Sequence, residues 1–124
     1  GCALIIDYGD LHSLGSTLQA VKSHKVAKIF DRPGEVDLTC HVDFEALARS
    51  SGCAYSKLTT QGVFLERLGI SDRANLLLKN SKPEYKNSII AAHRRLTHPD
   101  EMGTLFKVLG LFPKDQNSPA GLVR

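Results

Sequence analysis

The pattern of this chain predicts an α/β fold, on three observations. Two short apolar runs, at residues 3–6 and 104–112, have strand length and little polar alternation. Such runs suit strands covered on both faces of a sheet. Between them, apolar residues recur at helical spacing, each stretch opened by a capping residue or Pro and most closed by Gly or Pro. The length of 124 residues allows one domain with a real core.

The elements follow in order. Ala3-Leu4-Ile5-Ile6 is read as the first strand, ending in Asp7-Tyr8-Gly9-Asp10. Doubly wound sheets gather functional groups just past strand carboxyl ends, which is where this reading puts Asp7. The alternative is that Asp7 and Gly9 merely open a turn. Residues 10–36 are a long irregular connection containing Gly15, Pro33 and Gly34, with strand character at 26–30 that suggests a hairpin. Asp43 is a good N-cap for a helix carrying Phe44, Leu47 and Ala48, with Gly52 at its C′ position. Residues 53–58 read as a weaker strand. Thr60 is expected to cap a helix with Phe64, Leu65 and Leu68, closed by Gly69; Ser71 is expected to cap the next, with Ala74, Leu77 and Leu78. Pro83 suits a first helical position, and Tyr85, Ile89, Ala92 and Leu96 continue the register until Pro99. The apolar run 104–112 is the closing strand, and the polar residues 113–124 are expected to fray.

Composition narrows the function classes. Hydrophobic residues are 42% and charged residues 23%, so disorder is not expected. The net charge of +3 comes from scattered cations, and Trp is absent. Neither a phosphate-tracking stripe nor a base-stacking platform is visible, so no nucleic-acid partner is expected. No apolar run approaches the roughly 18 residues of a membrane span. Cys2, Cys40 and Cys53 are odd in number and widely spaced. They read as reduced thiols, not as a disulfide framework or a zinc site. An apolar strand at the very start, without an initiator Met, suggests a piece of a longer chain or a processed product.

Chemistry-bearing motifs are sparse. His41-Val42-Asp43 has two ligand types two residues apart, but no third or fourth ligand at metal spacing, and no metal is expected. A small hydrolase using His41 and Asp43 is one rival reading. No nucleophile elbow occurs around Cys53, and no GxGxxG cofactor loop occurs anywhere; Gly15, Gly34 and Gly62 are isolated.

Seven stretches, taken in order, resemble one family. They are Ala3-Leu4-Ile5-Ile6-Asp7-Tyr8-Gly9; Thr17-Leu18-Gln19-Ala20-Val21 with His24; Asp37-Leu38-Thr39; His41-Val42-Asp43-Phe44; Thr60-Gln61-Gly62 with Phe64-Leu65; Leu68-Gly69-Ile70; and Met102-Gly103-Thr104-Leu105-Phe106-Lys107-Val108. Their order and spacing are similar to the MidA family, which includes bacterial proteins and a mitochondrial arginine methyltransferase that assists complex I assembly. The resemblance implies the C-terminal part of a class I, Rossmann-like methyltransferase sheet over residues 1–112, with 10–43 an inserted substrate-side segment and 113–124 a polar tail. It makes 3–6 the fifth strand, 53–58 the sixth, and 104–112 a seventh running antiparallel between them. The family's glycine-rich cofactor loop lies upstream of the matched region, so no cofactor-binding residue is assigned here.

The resemblance also implies a function: S-adenosylmethionine-dependent N-methylation of protein arginine, on a respiratory complex I subunit or its bacterial counterpart. The setting it implies is the mitochondrial matrix or bacterial cytoplasm. A protonated guanidinium has no free lone pair, so carboxylates must orient it and receive a proton; Asp7, Asp37 and Asp43 are the candidates here. Tyr8, Gln19, His24, Thr39 and His41 complete the substrate-cleft set with Asp7 and Asp43. No catalytic residue is assigned, the isolated 124 residues are expected to be inactive, and the oligomeric state is left open. The competing class is a non-catalytic protein-interaction module derived from such an enzyme.

Overall fold

A computed structural model describes residues 1–124. The first strand is longer than its apolar run: β1 spans Ala3–Asp10. It pairs antiparallel with the last strand, β8 (Phe106–Phe112), from Ala3 opposite Leu111 to Tyr8 opposite Phe106. The two apolar runs are therefore neighbours, as their pattern predicts. On the other side of β8 lie two short strands, β6 (Ala54–Tyr55) and β7 (Thr59–Thr60), both antiparallel to it. On the other side of β1 lies β5 (Val42–Asp43), which runs parallel to it. The closing strand thus sits between β1 and β6, the arrangement that the family resemblance implies.

Residues 53–58 do not form one strand. Tyr55 stands opposite Leu111 and Thr59 opposite Val108, so Ser56, Lys57 and Leu58 face only Gly110 and Leu109. The extra residue makes a bulge. Ser56 stabilises it from inside: its N–H donates to the Gly110 carbonyl at 2.9 Å, and its buried Oγ accepts from the Gly110 N–H at 3.0 Å.

Alternation along the strands sorts the core into two faces. On one, Ile5, Leu109 and Leu111 pack with Phe44 and Ala48 of α1 (Phe44–Ser50). On the other, Val108 packs with Phe64 of α2 (Gln61–Arg67) and with Leu122. That second face is covered over β8 but not over β1, where Leu4 and Ile6 each stay 46% exposed. The expectation that β1 is covered on both faces therefore fails within these residues, because α2 and the C-terminal segment lie across β8 alone.

The C-terminal residues are docked, not frayed. Leu122 is buried against Phe64 and Val108, the Val123 carbonyl accepts from Lys57 N–H at 2.8 Å, and the Gly121 carbonyl accepts from Arg67 Nη1 at 3.3 Å. The backbone bends there through Gly121 at φ +79°. One apolar residue in a polar tail, Leu122, supplies the anchor that overall composition hides.

Three further helical pieces follow α2. Leu68 closes it, and Gly69 in the left-handed region (φ 83°) both ends α2 and caps α3 (Ile70–Asn80). Ser71 is thus already inside α3 and not its cap. Its Oγ donates to Glu66 of α2 and lies 3.1 Å from Nε2 of His93 in α4 (Pro83–Thr97). Thr60 holds the cap position of α2 but makes no side-chain capping bond. An irregular helical turn, Pro99–Gly103, leads into β8. No helix of the chain is long and apolar enough to cross a membrane.

The long connection contains a second, three-stranded antiparallel sheet: β2 (Gln19–Lys22), β3 (Lys25–Ala27) and β4 (Asp37–Thr39), in the order β3-β2-β4. The hairpin expected near 26–30 is present, with Ser23 and His24 as its turn at φ 51° and 62°. Two consecutive left-handed residues match the twist of the flanking strands, although neither is the usual Asn or Gly.

Candidate functional site at the carboxyl end of the first strand

The site is built where β1 ends beside β5. Gly9 stands opposite Val42, and Asp10 opposite Asp43. A Cβ on Gly9 would collide with the Val42 carbonyl and lie 2.7 Å from Val42 N. Gly9 is therefore a strand glycine that permits close backbone approach, and not the start of a turn. This contact brings the preceding residue of each strand level: His41 lies beside Tyr8, their ring centroids 5.9 Å apart at 70°. On the other side, Tyr8 meets its cross-strand partner Phe106 at 5.7 Å and 86°. His41, Tyr8 and Phe106 thus form a row of edge-to-face rings across three strands, each only partly buried.

Asp43 holds this end together. Its Oδ1 accepts from Ala46 N–H at 2.9 Å and caps α1, as the sequence predicts. Its Oδ2 accepts from Ser13 N–H at 3.0 Å and ties down the loop after β1. The Ala46 bond first and the Ser13 bond second hold the carboxyl below its ordinary value against desolvation, with lesser help from the nearby His12 and the Glu45 N–H. The same loop is held by Leu11, whose carbonyl accepts from Glu45 N–H at 2.9 Å, and by Thr17, whose Oγ1 accepts from His41 N–H at 2.9 Å. His12 Nδ1 lies 2.7 Å from Glu45 Oε2.

The expected cleft set is only partly brought together. Tyr8 and His41 meet. Gln19 and Thr39 meet as a cross-strand pair of the inserted sheet. Asp7 does not stand past the strand end, because β1 runs three residues beyond it. Its side chain points to the opposite face from Tyr8, and its Oδ1 accepts from Tyr8 N–H at 2.8 Å. His24 sits in the hairpin turn, two residues past the end of β2, whereas Gln19 lies at the start of that strand. Asp37 lies exposed on β4, opposite Val21. With both Asp43 oxygens engaged and the His41 ring against Tyr8, the pair is not arranged as a hydrolytic base and its orienting acid. No three His, Cys, Asp or Glu side chains are placed to hold a metal ion, and all three cysteines are free and exposed.

Three residues were missed as site candidates. In the sequence Phe106 belongs to the apolar closing strand and to the Met102–Val108 stretch of the family resemblance, with no site signal of its own. Asp10 is the carboxylate that does stand at the end of β1, with its side chain 69% exposed. Lys107, half-buried, donates from Nζ to the Thr104 carbonyl at 2.9 Å and lies 3.6 Å from Asp10 Oδ1. The signal for all three was the register of β8 on β1, which sequence spacing alone does not supply.

Residues 1–64 match the family model described as "Putative S-adenosyl-L-methionine-dependent methyltransferase". The chain belongs to this family. It is 38% identical over 117 residues to the protein arginine methyltransferase NDUFAF7 homolog, mitochondrial, of Drosophila melanogaster, covering 91% of this chain and 27% of that relative. The Xenopus laevis and Homo sapiens proteins named protein arginine methyltransferase NDUFAF7, mitochondrial, are 36% and 32% identical, each over 91% of this chain and 26% of their own length. The chain thus spans about a quarter of the curated relatives it matches. A Burkholderia thailandensis crystal structure superposes over all of this chain and 36% of its own, with TM-score 0.84 and 27% identity. A second from the same organism, bound to S-adenosyl-homocysteine, covers 98% and 34%, with TM-score 0.81 and 27% identity. The MidA-type resemblance, the methyltransferase sheet and the S-adenosylmethionine dependence of the family all stand.

These residues do not themselves fit a cofactor cradle. The glycines of closest backbone approach, Gly9, Gly62 and Gly103, face this chain's own carbonyls, leaving no gap for a ligand. Gly15, Gly34 and Gly52 have open space but occupy isolated turns.

Proposed function

We propose that this chain forms the substrate-side end of an S-adenosylmethionine-dependent protein arginine N-methyltransferase. The observation that carries the reading is the pairing of β1 with β5, which sets the Tyr8–His41 contact at a strand carboxyl end and roots the inserted sheet beside it. Ligands of open α/β sheets collect at such ends. Support comes from the relatives named protein arginine methyltransferase and from the superposed structure that holds S-adenosyl-homocysteine. The donor's methyl group must meet an oriented guanidinium nitrogen, and residues 10–43 form a wall of the cleft that holds the substrate protein. The substrate is a respiratory complex I subunit or its bacterial counterpart, and the setting is the mitochondrial matrix or bacterial cytoplasm. These 124 residues alone lack the cofactor cradle and are inactive.

The test uses the full-length protein with methyl-labelled S-adenosylmethionine and a purified complex I core subunit. Label is expected on arginine. His41→Ala and Gln19→Ala are expected to slow transfer with little change in melting temperature. Absence of label on arginine overturns the activity; two alanine variants at the wild-type rate overturn the cleft assignment.

A further inference from the structure

The sheet places a carboxylate and three rings on one face. Tyr8 and Asp10 are two residues apart on β1 and so share a face, about 7 Å apart along the strand. Phe106 joins that face through its register opposite Tyr8, and His41 through its ring contact with Tyr8. Each edge-to-face contact takes up one face of one ring and leaves the opposite face of that ring outside the pair, and none of the three residues is buried. Asp10 makes no hydrogen bond through its side chain. Its one ion-pair partner is the Lys107 ammonium at 3.6 Å, whose hydrogen bonds go to the Thr104 and Leu105 carbonyls, so a substrate guanidinium would share this carboxylate with Lys107.

We propose, building on the arginine methyltransferase reading, that Tyr8, His41 and Phe106 form a platform for the substrate guanidinium and that Asp10 binds its charge. A planar, weakly hydrated cation suits both halves of this surface. It lies flat against an aromatic face, where the ring quadrupole attracts it, and presents N–H donors at its edge to a carboxylate. A compact ammonium makes the second contact but not the flat first one. Phe106 and Asp10 are thereby substrate-binding residues, and Phe106 sets the preference for arginine over lysine.

The probe is N-acetyl-arginine methylamide, titrated into the intact protein and followed by NMR of the aromatic rings. N-acetyl-citrulline methylamide serves as the neutral isostere. The arginine probe is expected to shift the Tyr8 and Phe106 resonances saturably, and the citrulline probe to leave them unmoved. Phe106→Leu is expected to weaken binding about fivefold to tenfold, whereas Phe106→Trp, which keeps a π-face, retains it. Asp10→Asn, an exposed isosteric change, also weakens it and decides the matter should Phe106→Leu not fold. In methylation assays, Phe106→Leu raises the KM for an arginine peptide while leaving the KM for S-adenosylmethionine unchanged. Equal responses to arginine and citrulline probes overturn the platform, as does wild-type affinity in Asp10→Asn. Arginine methylation by a protein with no ring-dependent probe binding defeats the platform alone. Ring-dependent binding by a protein that transfers no methyl group to arginine defeats the activity alone.

Discussion

Gly9→Ala tests the link between backbone packing and the site. The new Cβ would meet Val42 from the side, colliding with its carbonyl oxygen and lying 2.7 Å from its N and 3.0 Å from its carbonyl carbon. All three are backbone atoms, so no rotamer change relieves the contact and β5 must move away from β1. Overpacking of this kind costs about 1–3 kcal/mol. Weakening a ladder hydrogen bond between the strands adds about 1 kcal/mol. The loss of glycine's freedom in the unfolded chain offsets about 0.5 kcal/mol. The net destabilisation is about 1.5–3.5 kcal/mol, a melting-temperature fall on the order of 10 °C. Because His41 directly precedes β5, the same shift pulls that ring off Tyr8. Urea unfolding followed by circular dichroism measures the first effect, and arginine-methylation kinetics of the full-length protein the second. Gly1→Ala, with nothing near its Cβ, is the control for a harmless substitution. An unchanged unfolding midpoint in Gly9→Ala would refute the close-approach reasoning. A destabilised variant with a normal rate would refute the coupling of β5 position to the site.

Three other outcomes follow from the same coordinates. The Asp43 carboxyl is held below its ordinary value of 3.8 by backbone N–H donors. Its stabilising effect is therefore complete above that value and fades as pH falls through the lower folded-state value. Melting curves should show the wild type more stable than Asp43→Asn at pH 7, since the amide keeps one acceptor oxygen for the Ala46 N–H but loses the second for Ser13, and the gap should narrow on acidification below pH 3.8. Leu122→Ala should cost about 2 kcal/mol, the low end for a buried Leu, and should release the C-terminal residues to proteolysis; an unchanged cleavage rate would mean the segment is not docked. Calorimetry on the 124 residues alone should show weak or no binding of S-adenosylmethionine, and micromolar binding would contradict the absence of a cradle.

The fold was legible wherever one residue type had one physical use. Apolar runs gave β1 and β8, Asp43 gave a cap, and Pro83 gave a helix start, and each stands where the pattern puts it. The errors share a cause: a residue's role was settled by a partner distant in sequence. Ser71 looks like a cap until Gly69 closes one helix and opens the next, leaving the serine to bridge Glu66 and His93. Residues 53–58 look like a strand until the register on β8 leaves one residue too many. The tail looks polar until Leu122 is set against Gly110, where only the absence of a side chain leaves room for it: a Cβ there would lie 2.6 Å from Leu122 Cδ1.

The site shows the same division more sharply. Acidic residues near a strand end are easy to find by eye, but which of them is available for chemistry depends on what already claims their oxygens. Asp7 accepts from the neighbouring backbone N–H and faces away from the rings, and Asp43 spends both oxygens on Ala46 and Ser13. Asp10, two residues past Tyr8, makes no side-chain hydrogen bond and is paired only through Oδ1 with the Lys107 ammonium at 3.6 Å. Extending β1 to Asp10 moves the functional end of the strand by three residues, and with it the candidate carboxylate. The rings obey the same logic. Tyr8 and His41 stand 33 residues apart and Phe106 another 65 beyond, yet the parallel pairing with β5 and the antiparallel pairing with β8 make them neighbours. A surface assembled by strand register in this way leaves no local motif, and a reading of spacing alone finds its members only one at a time.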